Sequence, residues 1–279
     1  MIAAGTVGDA IRSIAHHLQQ AGIDEAVSEA RLIIGHALDL TRSEVIGRKD
    51  EKLSETQLTR CRSLTERRSA LEPMAYLRGK KEFWSLTFKV SQETLIPRPD
   101  SETLISAVLD RVRNAKIPRR LLDIGTGSGC LLAALLSEWP EATGTGIDSN
   151  DEAVSLARQN LDTLGLAGRS NIVAAAWPAY QPGKIFDLVI ANPPYIPTGD
   201  IPTLSRDIRD YEPLSALDGG VDGLAIHRKI AHHAGSVLRT GGLVAVEFGI
   251  GQLGDIQLLY RAAGFDQIHV HPDLSGMHR

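Results

Sequence analysis

Apolar positions in the first part of the chain recur at helical spacing: Val7, Ile11, Ile14 and Leu18, then Ala30, Leu32, Ile33, Ile34, Ala37 and Leu38. No proline interrupts residues 1–70, so this stretch reads as a small helical bundle. Ser54 followed three residues later by Gln57 has the form of a capping box, opening a helix through Leu58 and Leu64 to about Ala70. Its arginines (Arg60, Arg62, Arg67, Arg68) read as a solvated face. At Pro73 the helical pattern breaks. Phe83 to Val90 alternates large apolar with smaller or polar residues, as a strand does, and suggests a hairpin or linker sheet between two domains. After the stiff run Ile96-Pro97-Arg98-Pro99-Asp100, helical spacing returns from Ser101 to Val112, with Glu102 in the first turn where a carboxylate favours the helix dipole.

From Arg119 onward strand and helix patterns alternate, which implies a parallel sheet with helices on both faces. Strands are expected near 120–124, 143–148, 171–176, 185–191, 242–248 and 265–270, and helices near 128–138, 150–164, 223–238 and 251–263. The domain reading is a helical region over 1–72, a linker or β-hairpin over 73–97 and an α/β domain over 98–279.

Composition narrows the class. Of 279 residues 43% are hydrophobic and 23% charged, as in globular proteins, and no apolar run approaches the roughly 20 residues that span a bilayer. The start of the chain lacks the charged and apolar segments of a secretory signal, so a cytoplasmic location is expected. Cys61 and Cys130 lie far apart without CxxC spacing and read as free thiols; no metal site is suggested. Net charge is -1 over residues 1–75, +5 over 76–120 and -8 over 121–279. Nucleic-acid enzymes draw most of their affinity from a larger positive field, so the balance favours a protein or small-molecule substrate over direct nucleic-acid binding.

Candidate chemistry begins at Leu121-Leu122-Asp123-Ile124-Gly125-Thr126-Gly127-Ser128-Gly129-Cys130, a glycine-rich turn between a strand and a helix. Such turns let backbone approach a ligand closely, and dinucleotide sites use similar ones. The next strand ends in Asp148, about twenty positions on, where a carboxylate accepts two ribose hydroxyls. Together they account for a nucleoside. Asp123, two residues before Gly125, would repel a pyrophosphate but suits the sulfonium and ammonium of S-adenosylmethionine.

The fourth expected strand of the sheet runs into Asn192-Pro193-Pro194-Tyr195 at the carboxyl edge, where ligands bind in such folds. Prolines stiffen this backbone and leave carbonyls without neighbouring donors. A planar amide or aromatic amine has two N–H donors, and the side-chain oxygen of Asn192 with the carbonyl of Pro193 can accept both. Tyr195 offers a ring face or hydroxyl to the planar group.

Four segments, Leu95 to Glu102, Asp123 to Gly129, Ala191 to Tyr195 and Asp218-Gly219-Gly220-Val221-Asp222-Gly223-Leu224, closely resemble the PrmC/HemK family, with support from Pro73 to Gly79, Phe83-Trp84 and the helical N-terminal region. The resemblance implies a class I methyltransferase: a Rossmann-like, mostly parallel sheet of the seven-stranded type with a small all-α N-terminal domain. It also implies methyl transfer from S-adenosyl-L-methionine, with S-adenosyl-L-homocysteine as product, to the glutamine of the Gly-Gly-Gln motif in class 1 peptide chain release factors. By resemblance, Gly125, Thr126, Gly127, Ser128, Gly129 and Asp148 bind the cofactor, Trp177 packs on its adenine, and Asn192, Pro193, Pro194 and Tyr195 hold the glutamine, with Asn192 also reaching the cofactor. Asn192, Pro193 and Tyr195 are then the catalytic group, and the N-terminal helices recognise the body of the substrate protein. Two departures stand out. Ala176 occupies a position where the family usually has an acidic residue, and the family continues past the Asp273 to Gly276 stretch into a last strand, whereas this sequence ends at Arg279. The expectation is a shortened chain or a sheet edge covered otherwise.

Competing readings are an adenine-N6 nucleic-acid methyltransferase, which presents the same planar amine to the same tetrapeptide, a dinucleotide-dependent dehydrogenase, which leaves that tetrapeptide unexplained, and a non-catalytic adaptor. His227, His232 and His233 read as the polar face of a helix, His16 and His17 as surface, and Glu247 equally as a pocket or a structural carboxylate.

Overall fold

The computed structural model describes residues 5–113, 115–183, 185–273 and 275–278; Leu274, within the Asp273 to Gly276 stretch, and Arg279 lie outside them. The chain divides into two compact units, one of residues 1–79 with Arg206–Tyr211 and one of Lys80–Ser205 with Glu212–Arg279.

In the first unit, helices α1 (Val7–Gln20), α2 (Ala26–Leu38), α3 (Arg42–Gly47), α4 (Glu55–Ser69) and α5 (Met74–Arg78) gather the apolar stripes into one core. Val7, Ile14, Leu18, Ile33, Ile34 and Leu58 are almost wholly buried, each contributing roughly 1.5–3 kcal/mol relative to exposure. Capping boxes start three of these helices at Thr6, Thr41 and Ser54. The arginines of α4 are not all solvated. Arg68 is nearly buried and paired with Glu29 at 2.6 Å, because its stem crosses from α4 to α2.

The second unit opens with a hairpin, β1 (Lys80–Phe83) and β2 (Leu86–Lys89). The continuous alternation from Phe83 to Val90 is therefore broken by a tight turn at Trp84 and Ser85, both at positive φ. Glu102 accepts the Trp84 backbone N–H at 2.8 Å and Glu138 its indole N–H at 2.7 Å, which holds the turn. There follow α6 (Glu102–Val112), β3 (Arg120–Ile124), α7 (Cys130–Glu138), β4 (Thr143–Asp148), α8 (Asp151–Thr163), β5 (Ser170–Ala174) and β6 (Phe186–Ala191). After the short α9 (Arg206–Arg209), which belongs to the first unit, come α10 (Ala225–Val237), β7 (Leu238–Val246) and α11 (Leu253–Ala262). The strands of the large sheet are all parallel, in the order β5-β4-β3-β6-β7. Leu121 packs with α6, α7 and α8 on one face, and its neighbour Leu122 with α10 and α11 on the other. The order reverses between β3 and β6, and a crevice opens at the carboxyl ends of such a switch point.

Among the described residues the sheet has five strands, not seven. The strand expected over 265–270 does not form. Phe265, Ile268 and Val270 pack against the core, but a strand needs a neighbour to complete its ladder, and β7 pairs with β6 alone. A cleft of about 640 Å³ lies between β7, α6 and residues 264–271. No helix of the described residues is long and apolar enough to cross a membrane.

Candidate active site

A second cleft, about 310 Å³, sits at the switch point. It is lined by Gly125, Thr126, Gly127 and Ser128 after β3, Asp148 at the end of β4, Trp177 after β5, and Asn192, Pro193 and Pro194 after β6. Residues up to 69 positions apart in sequence thus meet because each follows a neighbouring parallel strand. Gly129 and Tyr195 do not line the cleft. Gly129 caps α7 at φ +80, with a Cβ's space only 3.4 Å from Ala157, and Tyr195 turns back into the protein.

The loop is shaped by its own backbone. Gly125 and Thr126 N–H both donate to the Ile147 carbonyl at 2.9 Å, and Gly127, at φ +52, donates to Asp148 Oδ2 at 2.9 Å. Asp148 Oδ1 accepts the Asn150 N–H at 3.0 Å. A carboxylate has about four acceptor positions, so Asp148 retains capacity for two hydroxyls.

Asp123 is placed differently from expectation. It is fully buried beneath the loop and does not face the cleft; Oδ2 accepts the Thr126 hydroxyl at 2.7 Å while Oδ1 has no hydrogen-bond partner. Burial, with Asp148 adding like charge, raises its carboxyl to about 7. Any influence on a cationic ligand is exerted through the loop.

Behind Asn192 stands a connected set of side chains. Its Nδ2 donates to Ser101 Oγ at 3.0 Å, Ser101 Oγ donates to Glu247 Oε2 at 2.6 Å, and the Tyr195 hydroxyl donates to Glu247 Oε1 at 3.1 Å. Glu247 is buried, follows β7, and lies outside the cleft lining. Among the described residues neither Asn192 Oδ1 nor the Pro193 carbonyl accepts a hydrogen bond. Two acceptors are therefore left uncommitted at the end of β6.

The chain just after the tetrapeptide, at Ile196 and Thr198, is held by the Leu217 to Leu224 segment. Ile196 N–H donates to the Leu217 carbonyl and Gly219 N–H to that of Ile196, while Asp218 accepts from the Thr198 hydroxyl and Gly220 N–H. Those two bonds hold the Asp218 carboxyl below the usual range. Arg98, on the cleft wall, is paired with buried Glu212. Cys130 also lines the cleft, but burial pushes its thiol to about 12, which leaves it protonated and without nucleophilic character. Among the described residues no three His, Cys, Asp or Glu side chains gather as a metal site, and Cys61 and Cys130 are free.

Sequence reasoning missed Ser101, Glu247 and Gln252 as a group. Ser101 lay inside a quoted motif but read only as a helix start, and their partners are 52 to 146 positions away. The histidine reading also changes: His16, His17 and His232 are exposed, but His227 is wholly buried, with neither ring nitrogen bonded and its ring edge-on to Tyr260 at 6.5 Å. Its helix face packs on α11, so burial lowers its pKa to about 4.

The hMettl16 catalytic domain in complex with MAT2A 3′UTR hairpin 6 superposes with a TM-score of 0.57 at 18% identity, covering 81% of this chain and 80% of that one. That likeness speaks to the fold alone, and the fold is that of the class I methyltransferases. Residues 9–79 match the PrmC N-terminal domain and residues 100–203 the methyltransferase small domain. Release factor glutamine methyltransferases from Bradyrhizobium diazoefficiens (42% identical over 260 residues, 92% of this chain and 87% of the relative) and Caulobacter vibrioides (40% over 258, 92% and 89%) are similar over nearly the whole length. The chain belongs to the release factor glutamine methyltransferase family.

Proposed function

We propose that this protein transfers a methyl group from S-adenosyl-L-methionine to the side-chain amide nitrogen of the glutamine in the Gly-Gly-Gln motif of class 1 peptide chain release factors. The observation that carries the reading is the pair of uncommitted acceptors, Asn192 Oδ1 and the Pro193 carbonyl, in residues that line the same cleft as Gly125 to Ser128 and Asp148.

The residues present suit that methyl donor. The glycine loop brings backbone to the cleft wall, Asp148 keeps acceptor positions for ribose hydroxyls, and Trp177 supplies an aromatic wall for adenine. Ala176, on the same wall, has no polar side chain, so an adenine amino group finds no carboxylate there. When bound, the donor supplies a methyl carbon on positively charged sulfur and leaves as S-adenosyl-L-homocysteine.

An amide nitrogen is a weak nucleophile because its lone pair is delocalised into the carbonyl. Asn192 and Pro193 accept its two N–H groups, fix its plane and draw electron density onto nitrogen as the N–C bond forms. The nitrogen then sheds one proton to water. No strong base is needed at the nitrogen, consistent with Glu247 and Asp123 lying outside the cleft wall. The helical unit binds the body of the release factor, and the acceptor is protein rather than nucleic acid.

Incubation with labelled methyl donor and, separately, release factor, nucleic acid or neither tests the assignment. Label is expected on the release factor alone, at the glutamine; label on nucleic acid, or none on the release factor, would contradict it.

A further inference from the structure

An asparagine side chain has nearly the same shape with its oxygen and nitrogen ends exchanged, so packing alone does not decide which end meets a ligand. The bonds behind Asn192 do decide. Both carboxyl oxygens of Glu247 accept: Oε2 receives the Ser101 hydroxyl at 2.6 Å and Oε1 the Tyr195 hydroxyl at 3.1 Å. Ser101 has one proton to give. With that proton directed at Glu247, its oxygen offers only lone pairs to Asn192, which must answer with Nδ2, at 3.0 Å.

We propose that Glu247 is the positioning residue that sets the polarity of the substrate site: through Ser101 it leaves Asn192 Oδ1 for the ligand and so makes the site select a carboxamide over a carboxylate. The inference rests on the reading that a glutamine side chain is the acceptor. A glutamine gives two N–H donors to Asn192 Oδ1 and the Pro193 carbonyl. A glutamate in its place sets its own lone pairs against both oxygens. In a Glu247→Leu variant no acceptor remains for the Ser101 proton, which is then free to turn to Asn192, and the Asn192 amide is no longer held in one orientation.

The test is the affinity of the full-length protein, loaded with S-adenosyl-L-homocysteine, for a release factor carrying either glutamine or glutamate in its motif, measured by calorimetry. The wild-type protein is expected to prefer glutamine by at least about tenfold, the loss that an unpaired buried polar group brings. Glu247→Leu is expected to bring that ratio down about tenfold, toward one, with affinity for S-adenosyl-L-homocysteine unchanged. Should Glu247→Leu fail to fold, the Ser101 variants carry the same test: Ser101→Thr keeps the hydroxyl and the wild-type ratio, and Ser101→Ala loses the ratio. A purely structural Glu247 would lower stability without moving the ratio. Retention of the wild-type ratio by Glu247→Leu, or by Ser101→Ala, overturns this assignment while leaving the proposed activity intact. A wild-type protein that binds both versions equally, or neither, overturns the proposed activity and this inference together.

Discussion

The side-chain amide of Gln252 donates to the carbonyl oxygen of Tyr195 at 2.9 Å, tying the last residue of the Asn-Pro-Pro-Tyr turn to the start of α11. Gln252 Oε1 in turn accepts the Gly249 N–H at 2.8 Å. The prolines contribute no N–H of their own, so the turn is held from outside by side chains and by the Asp218 to Leu224 loop.

Gly223 shows how close that loop comes. Its φ is +76, and a Cβ there would lie 2.3 Å from the Tyr195 carbonyl oxygen. Both the strain and the collision fall on the turn that presents Asn192. Gly223→Ala is expected to lower methyl transfer at least tenfold, with affinity for S-adenosyl-L-homocysteine changed by less than about threefold. Steady-state rates alongside calorimetric binding check this; an active Gly223→Ala enzyme would mean the loop does not set the turn.

Two buried groups give stability opposite dependences on pH. Burial raises the Asp123 carboxyl from 3.8 to about 7, so its contribution is complete below 3.8 and is lost as pH rises toward 7. Burial lowers His227 from 6.5 to about 4, so the unfolded chain takes up a proton that the folded chain refuses, and stability is lost as pH falls from 6.5 toward 4. The shifts correspond to something on the order of 4 kcal/mol for Asp123 and 3 kcal/mol for His227, and between pH 4 and 6.5 the two oppose one another. Asp123→Asn is expected to unmask a stability that climbs with pH over that window, and His227→Phe one that declines. Urea unfolding of the ligand-free protein at several pH values reads the slopes; unchanged slopes would refute the assignment.

Glu212 depends on Arg98. Its side chain is 1% exposed, it accepts the Ile96 N–H at 3.3 Å, and the Arg98 guanidinium supplies its countercharge. Arg98→Ala removes the guanidinium beside a buried carboxylate and is expected to cost about 3 kcal/mol, whereas Arg98→Ala with Glu212→Gln recovers part of that loss. Urea midpoints measure both, and a single-variant loss below about 1 kcal/mol would show that water screens the site.

Much of this was legible in the chain itself. Period-3.6 stripes located the helical core around Ile14 and Leu58, and strand ends at Ile124, Asp148 and Ala191 put Gly125, Asp148 and Asn192 at one sheet edge. Local pattern carries that information because each element buries one face. It does not carry pairings across distance, so the Ser101 to Glu247 bond, 146 positions apart, was invisible, as was the turn at Trp84 that Glu102 holds. His227 misled because its type suggested solvent while its helix position faced the core. The strand expected over 265–270 shows the same limit from the other side: apolar alternation marks a buried face but does not supply the neighbour that makes a strand.

The most direct test of the account is the single-turnover rate of Asn192→Ala on a release factor, measured with saturating methyl donor. Loss of one of the two acceptors is expected to slow transfer well beyond tenfold, more than about 1.4 kcal/mol of transition-state stabilisation, with affinity for S-adenosyl-L-homocysteine preserved. A rate within tenfold of the wild-type enzyme would contradict it.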